Sequence, residues 1–392
     1  MVEKLKRLRE IFFVSLKLGV SSFGGPSAHI GYFRNEYVVK RKWLSDDQFA
    51  DLLGIGQILP GPASSQVGIG IGILRGGMLG GVASFLGFTL PSVMLLICFA
   101  LFFEEVMIED LSWLHGFKLV AVAIVAQAVL GMWQQLVVDR FQKMLVLFSA
   151  TAMLLFSSNL IQIVLISLSG YMSYWFYKNK DIFRYQEVQS YYVSKKVGWF
   201  SLIIFLSLLL FLPFITLNLG NPMLEMFDKF FRSGALVFGG GHVVLPLLEN
   251  EFVAQGLISQ DQFLAGYSLT QGMPGPLFTF AAYIGTIIRG PLGGIMAIIA
   301  IFLPSFLLII GVLPFWSRIR NNKVIQLSLP GINASVVGLL LATLYDPVWT
   351  SAIVSISDIF AVISLFILLY RFKLSPLFIV VIGGFLGLFS IY

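Results

Sequence analysis

The chain has 392 residues, of which 57% are hydrophobic and only 12% are charged, and its formal net charge is +6. A soluble domain carries roughly 25% charged residues, so this composition excludes an ordinary soluble protein. Several apolar stretches approach or exceed the ~18 residues that indicate a membrane span. The sequence therefore predicts an all-α polytopic protein of the lipid bilayer. Its positive charge is typical of basic cytoplasmic loops and indicates no nucleic-acid partner.

The first signals along the chain are two helix-breaking motifs inside apolar sequence, FGGP at 23–26 and QILPGP at 57–62. Only about 10–13 apolar residues flank each break, whereas a span needs ~20. We therefore predict broken or re-entrant helical hairpins that enter and leave the membrane on one side. Residues 11–22 fit either one arm of such a hairpin or a single tilted span.

Apolar segments of spanning type follow these breaks. In chain order they are 79–103, 113–136, 143–157, 159–177, 198–217, 291–316, 328–345, 352–370 and 375–391.

The chain is an internal duplication. FGGPSAHIGYFRNEYV (23–38) aligns without gaps with FGGGHVVLPLLENEFV (238–253), and QILPGP with QGMPGP (271–276). LSDDQF, LRGGMLGG and LPS of the first half also recur, always 213 to 215 residues later. Internal repeats of this kind define the architecture of a fold. We predict an N-terminal repeat (1–177), a basic cytoplasmic linker with one topology-inverting helix (178–220), and a C-terminal repeat (221–392).

The loop charges predict that the two repeats face opposite ways. The loop after the first FGG block is basic and its counterpart is acidic, whereas EEVMIED (104–110) is acidic and its counterpart SRIRNNK (317–323) is basic. Because lysine and arginine collect in cytoplasmic loops, we predict two homologous repeats in inverted topology, as in many secondary transporters. The N-terminus is then cytoplasmic.

The broken segments are the candidate substrate site. Non-helical backbone at membrane depth is tolerated only where it is buried in protein or lines a cavity, and a helix that starts after a break directs free amides and its positive dipole end at the break. Such helix starts bind anions, so we predict an oxyanion cradle. Alternatively, the glycines and prolines serve packing alone. The candidate binding residues are Gly24, Gly25, Pro26, Gln57, Pro60, Gly61, Pro62, Gly239, Gly240, Gly241, Gln271, Pro274, Gly275 and Pro276.

Four further residues are substrate-binding candidates. Arg75 and Arg289 occupy equivalent places after the hairpins; they either attract the anion or snorkel to lipid headgroups. Lys118 and Asn333 are matched by the repeat alignment. A lysine inside a membrane segment is costly and hence a functional candidate, although Lys118 also lies near enough to a loop to snorkel.

The proton-coupling candidates are Glu36, Glu251 and His242. The two glutamates are matched carboxylates after the FGG blocks, and the alternative is pairing with a neighbouring base such as Arg34. His242 titrates near neutral pH but is matched by Ser27, which excludes a symmetric role.

Other kinds of site find no support in the sequence. Neither His29 nor His242 lies at metal-ligand spacing from cysteine or carboxylates, so we predict no metal. GIGIG (68–72) lacks the lysine and hydroxyl residue of a phosphate-binding loop, which argues against a nucleotide. We find no catalytic cluster, and we predict neither an enzyme nor a cofactor. A membrane-embedded enzyme or scaffold is therefore disfavoured.

Long motifs in both halves resemble one known family. FGGP, GQILPGPASSQVGIGIG, GFTLPS, FGGGHVVLPLLENEFV and TQGMPGP are similar to the chromate transporter (CHR) family of the long-chain, two-repeat type. The resemblance covers nearly the whole chain outside the linker. Leu119 departs from it, since the family pattern GLKP places a proline there, and the second block reads FGGG where the first reads FGGP.

The resemblance implies a secondary transporter that exports chromate across the inner membrane with proton coupling and so gives chromate resistance. It leaves a homodimer open. Sulfate has almost the same shape and charge as chromate, so an importer or exchanger of sulfate or another oxyanion is the alternative.

Overall fold

The computed structural model describes residues 2–22, 25–106, 112–156, 159–179, 193–237, 243–320 and 322–389, and this part of the chain contains helices and no β-strand. Up to residue 177 the helices are α1 (Val2–Ser21), α2 (Gly25–Phe33), α3 (Asp46–Ile58), α4 (Ala63–Val106), α5 (Ser112–Leu136), α6 (Arg140–Leu155) and α7 (Asn159–Tyr177). They are followed by α8 (Lys195–Leu219), α9 (Pro222–Leu236), α10 (Val244–Leu248), α11 (Gln260–Gly272), α12 (Phe280–Val312), α13 (Trp316–Arg320), α14 (Lys323–Thr343), α15 (Thr350–Ala352), α16 (Ile356–Tyr370) and α17 (Pro376–Phe389).

Apolar helices confirm the prediction of an all-α polytopic membrane protein. Helix α8 exposes Phe211, Phe214 and Leu217, the last by 82%, and so large an apolar face is stable only against lipid or a partner. Among the described residues, five helical segments are long and apolar enough to cross a membrane: Ala63–Phe102, His115–Leu136, Lys195–Leu219, Leu277–Ile319 and Lys323–Ala352.

Helix α4 reverses direction at Gly77. This glycine has φ 69° and ψ −165°, which no helix contains. The Ser84 hydroxyl donates to the Gly68 carbonyl at 2.8 Å, so residues 63–76 and the segment after Gly77 run antiparallel. The second arm begins close to the predicted start of the span 79–103. Helix α12 reverses in the same way at Arg289 and Gly290.

The first repeat contains the predicted broken hairpin. Helix α3 begins at a capping box in which Ser45 and Gln48 bond each other's backbone amides, and it ends at Leu59 in extended conformation. The Leu52 side chain lies against Gly70, so α3 packs on the arm 63–76. Each arm is about 20 Å long at 1.5 Å per residue, which is too short for the ~30 Å hydrocarbon core. The same capping box recurs at Ser259 in α11.

The chain divides into two compact units, and each contains segments of both repeats. The first unit comprises Met1–Cys98, Arg184–Gly241 and Pro274–Asn322; the second comprises Phe99–Phe183, His242–Met273 and Lys323–Tyr392. Within the first, α12 packs against α8 and α9. Within the second, α14 packs against α6 and α7, and α5 packs against α11, α16 and α17. The predicted repeat boundaries are a property of the sequence and stay a prediction.

The reversal at Gly77 yields a stability prediction. A Cβ on Gly72 would lie 2.3 Å from the Gly80 carbonyl oxygen of the opposite arm, so Gly72→Ala must separate the arms. We expect a loss of roughly 1–3 kcal/mol, seen as a lower midpoint of thermal unfolding in detergent. In the control Gly131→Ala the new methyl meets no atom within 4 Å, and the midpoint should not fall. A wild-type midpoint for Gly72→Ala would contradict the close antiparallel packing.

The inverted topology yields a labelling prediction. Lys42 and Gln255 lie in equivalent loops, and both are exposed. In a Cys98→Ala background, a single cysteine at either position should react with a membrane-impermeant maleimide. We expect the two positions to label from opposite faces of oriented vesicles. Labelling from the same face would rule out inverted repeats.

Candidate functional site

The two PGP motifs, residues 60–62 and 274–276, are named the PGP tips, and within the first unit each tip hydrogen-bonds to the other repeat. The Gly61 amide donates to the Val237 carbonyl at 2.7 Å, and the Gly275 amide donates to the Ser22 carbonyl at 3.1 Å. Val237 and Ser22 directly precede the FGG blocks at 238–240 and 23–25. Each tip is therefore anchored to the residue that directly precedes the FGG block of the other repeat.

Both tips require glycine. Gly61 has φ 118° and Gly275 has φ 107°, a region that other residues rarely adopt. A Cβ on Gly61 would lie 2.8 Å from Ser305 Oγ, and one on Gly275 would lie 2.7 Å from Ser92 Oγ. These serines belong to the two LPS motifs, so each tip is covered by the LPS serine of the opposite repeat.

The anchoring engages the amides of the tip glycines and not the amides of the predicted cradle. The amides of Gly61 and Gly275 already donate to carbonyls, so they are not free for an anion. The predicted donors are the amides that follow the tip, where helix α4 starts at Ala63 and its first-turn amides lack intrahelical acceptors. The Gln66 amide already donates to the Pro62 carbonyl at 2.9 Å.

Unpaired polar side chains surround the tips. A buried polar atom without a partner costs about 1–3 kcal/mol, so a group of them in one unit indicates a place for a polar occupant. Among the described residues the first unit has eight such atoms, of which two are Arg75 Nε and Asp228 Oδ1. The other six belong to residues in or near the FGG, PGP and LPS segments: Ser22 Oγ, His29 Nε2, Ser65 Oγ, Gln66 Oε1, Thr89 Oγ1 and Ser305 Oγ.

His29 connects the surroundings of the two tips. Its Nδ1 lies 3.3 Å from Ser64 Oγ, directly after the first tip. Its ring meets the edge of Phe88 at 5.3 Å between centroids, and the Phe88 carbonyl oxygen lies 3.6 Å from the Cβ position of Gly275 at the second tip. His29 thus contacts residues beside both tips, and the six unpaired atoms are here named the lining of the tips.

Glu36 is buried among bases. They are Arg41, Lys17 and Lys40, with N–O distances of 2.9, 3.6 and 3.8 Å. Burial raises the pKa of Glu36, but the hydrogen bond from Arg41 and the three positive charges outweigh it and hold the pKa below its usual value. Arg34, the partner that the sequence suggested, instead pairs with Asp46 at 2.8 Å.

The two candidate arginines lie at the reversals. Arg75 directly precedes the Gly76–Gly77 turn, contacts Glu10 at 3.6 Å and lies over the Trp43 ring at 5.3 Å. Arg289 forms part of the second reversal, with φ −143° and ψ 26°. Their equivalence in sequence is thus an equivalence in structure.

Several candidates belong to the second unit. Lys118 Nζ donates to Asp261 at 3.0 Å. Glu251 is buried and accepts from Gln255 at 3.4 Å, and Gln271 and Asn333 are half-buried. The contacts described for these residues lie within that unit.

The remaining candidates are only partly described. Gly24, Gly239, Gly240, Gly241 and His242 lie outside the described residues, as does part of the predicted linker. Gly25 and Pro26 begin α2. Gln57 is exposed, and the glutamine at the tip is instead Gln66, whose Nε2 donates to the Pro60 carbonyl at 2.6 Å. In the described ranges no three histidine, cysteine, aspartate or glutamate side chains are placed to hold a metal.

The polar side chains next to the first tip are not among the predicted site residues, although the sequence contains a signal for them. The polar run ASSQ (63–66) follows PGP directly in otherwise apolar sequence, and polar side chains at membrane depth are functional candidates by default. Glu249 belongs to the acidic loop of the second repeat. Burial, and then the charge of Asp346, raise the pKa of Glu249 to about 7.

Glu249 yields a pH prediction. Its folded pKa lies above the unfolded value of 4.5, so its contribution to stability is complete below pH 4.5 and is lost as pH rises through 7. Glu249→Gln should remove this part of the fall in thermal midpoint between pH 5 and 8. An unchanged pH profile would contradict the raised pKa.

Glu36 yields a pH prediction of the opposite sign, because its contribution to stability is lost at low pH. Its pKa is depressed, so its contribution is present at neutral pH and is lost as pH falls through the folded pKa. Glu36→Gln should lower the thermal midpoint at pH 7, and its difference from wild type should shrink below pH 4.5. A difference that grows on acidification would exclude this assignment.

Comparison with known proteins identifies relatives over nearly the whole chain. A family model described as "Chromate transporter" matches twice, at residues 9–174 and 224–388. The "Chromate transport protein" of Pseudomonas aeruginosa is 27% identical, covering 96% of this chain and 91% of that protein. The protein of the same name from Cupriavidus metallidurans is 23% identical over 97% and 92%.

A shorter relative matches part of the chain. "Uncharacterized transporter YwrA" of Bacillus subtilis is 31% identical over 40% of this chain and 90% of its own length. No solved structure gives a significant match.

Proposed function

The chain belongs to the chromate transporter family, and from this membership we propose that it exports chromate from the cytoplasm across the inner membrane and so confers chromate resistance. It is a multi-pass membrane transporter and not an enzyme. The proposal places the N-terminus in the cytoplasm, as the loop charges favour, and treats transport as secondary and proton-coupled.

The proposal for the substrate site rests on the two hairpin tips, each of which hydrogen-bonds to the other repeat. Two broken helices, each anchored to the other repeat, leave a lining of buried and unpaired polar atoms. Transporters built from inverted repeats bind substrate at discontinuous helices. We assign this lining as the anion site, with the first-turn amides of α4 and the hydroxyls of Ser65 and Ser305 as donors.

The chemistry of the lining suits a tetrahedral dianion. Chromate near neutral pH presents four oxygens that only accept hydrogen bonds, whereas hydroxyls and amides donate them. Hydrogen bonds to a charged group stabilise by about 1.5–3 kcal/mol each, and the helix dipole adds to them. Sulfate offers the same shape and charge, so sulfate transport is the second candidate function.

Glu249 supports the proton-coupling part of the proposal. A carboxyl with a pKa of about 7 changes charge near neutral pH, as a proton carrier must. Glu36 stays ionised under the same conditions because three bases surround it, which favours a positioning role for that glutamate over proton transfer.

The site assignment predicts a transport defect. Removing the hydroxyls in Ser65→Ala/Ser305→Ala leaves each backbone intact but deletes two donors. We expect KM for chromate to rise at least tenfold, since 1.4 kcal/mol is a factor of ten. The control is Ser21→Ala, whose exposed hydroxyl only bonds the Lys17 carbonyl of its own helix. Unchanged transport by the double variant would exclude this lining as the site.

Direction is tested in everted vesicles, where export appears as uptake. Under an imposed proton gradient, wild-type vesicles should accumulate radiolabelled chromate, and a proton-conducting uncoupler should abolish the accumulation. Uptake by right-side-out vesicles alone would instead establish an importer. Competition by sulfate, measured in the same vesicles, decides between the two oxyanions.

A further inference from the structure

A second polar feature of the first unit is an open cleft of about 490 Å³, separate from the PGP tips in sequence and in its lining. Its lining residues are Glu10, Lys17, Glu36, Lys40, Arg41, Trp43 and Arg75. Four of these side chains are cations and two are carboxylates, so the cleft carries two positive charges in excess.

The carboxylates hold one arginine and leave the lysines available. Arg41 bridges Glu10 and Glu36 at 3.3 and 2.9 Å, which fixes its guanidinium. The ammonium groups of Lys17 and Lys40 lie 3.6 and 3.8 Å from Glu36, beyond ordinary hydrogen-bond length, and both side chains are more than half exposed. Their N–H groups are therefore free to turn towards a ligand.

An aromatic ring holds the two arginines on the cleft. Arg41 and Arg75 lie over Trp43, with centroid distances of 5.6 and 5.3 Å. The Nε of Arg75 is buried and has no hydrogen-bond partner in the described structure. Positive groups held in this way are pre-organised for an anion, because less conformational freedom is lost on binding.

The second repeat lacks the basic part of this cleft. Residues 39–43 of the first repeat read VKRKW, and the equivalent residues 254–257 read AQGL, without lysine or arginine. With the repeats in inverted topology, a basic cleft on one repeat alone places positive charge at one face of the membrane. The positive-inside rule assigns that face to the cytoplasm.

We propose that this cleft is a loading site that binds the tetrahedral oxyanion at the cytoplasmic face before it reaches the hairpin tips. This inference rests on the proposed export function. The excess of two positive charges matches a dianion, whereas a phosphodiester lipid headgroup with a single charge would leave one positive charge uncompensated. The charges raise the local concentration of the anion at the entrance, so their removal raises the apparent KM and leaves the maximal rate unchanged.

The test is chromate uptake by everted vesicles, whose outer surface is the cytoplasmic face. Lys17→Gln/Lys40→Gln removes both exposed charges and leaves the Arg41 bridge intact. We expect KM to rise about tenfold with the maximal rate unchanged. Lys42→Gln is the matched control, since it removes an exposed lysine next to Arg41 that does not line the cleft, and its KM should equal that of wild type.

Equilibrium binding separates the possible anions. Purified protein in phosphatidylcholine nanodiscs should bind radiolabelled chromate about tenfold more weakly in the double variant than in wild type. Equal binding there, combined with loss of phosphatidylglycerol binding in the variant, would overturn the proposal in favour of a headgroup site. A lowered maximal rate at unchanged KM would also overturn it.

These outcomes are distinct from failure of the export proposal. If wild-type vesicles accumulate no chromate, export is wrong, and the nanodisc measurement still decides whether the cleft binds the anion. If Ser65→Ala/Ser305→Ala impairs transport and the lysine variant does not, the tips remain the site and the loading cleft is excluded.

Discussion

Backbone groups exposed by breaking a helix inside a membrane need partners, and this constraint organises the first unit. No water is available there, so an unpaired amide is costly. The chain pairs the Gly61 amide with the Val237 carbonyl and the Gly275 amide with the Ser22 carbonyl. The tip glycines and the serines of the LPS motifs follow from this exchange of hydrogen bonds, because each of them lies against a residue of the other repeat.

The two hydrogen bonds between the repeats also explain why the fold is a duplication. A single repeat supplies a tip and an acceptor, but the acceptor for its tip lies in the other copy. One repeat alone would leave both groups unpaired, so two copies are the smallest arrangement that closes the hydrogen bonds. The cost of breaking the helices is offset only when the repeats are together, which makes the hairpin tips a part of the fold as well as a candidate site.

Local sequence predicted what depends on local periodicity. The segment 159–177 coincides with α7, and 113–136 differs from α5 by one residue. The PGP motifs and the repeat alignment located both hairpin tips. The side chains around the tips were harder, because their proximity depends on contacts between distant residues. Gln57 lies five residues before Pro62 and is exposed, whereas Gln66, on the next helix, reaches back to Pro60.

The same limit applies to ion pairs, since Lys118 and its partner Asp261 are 143 residues apart in sequence. Equivalent places in the two repeats nevertheless carry opposite electrostatics. The π-helical segments Arg34–Lys40 and Glu249–Val253 are matched in sequence and in conformation. In the first, Glu36 is surrounded by three bases and stays ionised. In the second, burial and Asp346 raise the pKa of Glu249 to about 7. The two repeats therefore share a backbone conformation at these segments and differ in charge, one holding an ionised carboxylate among bases and the other a carboxyl whose pKa burial raises to about 7.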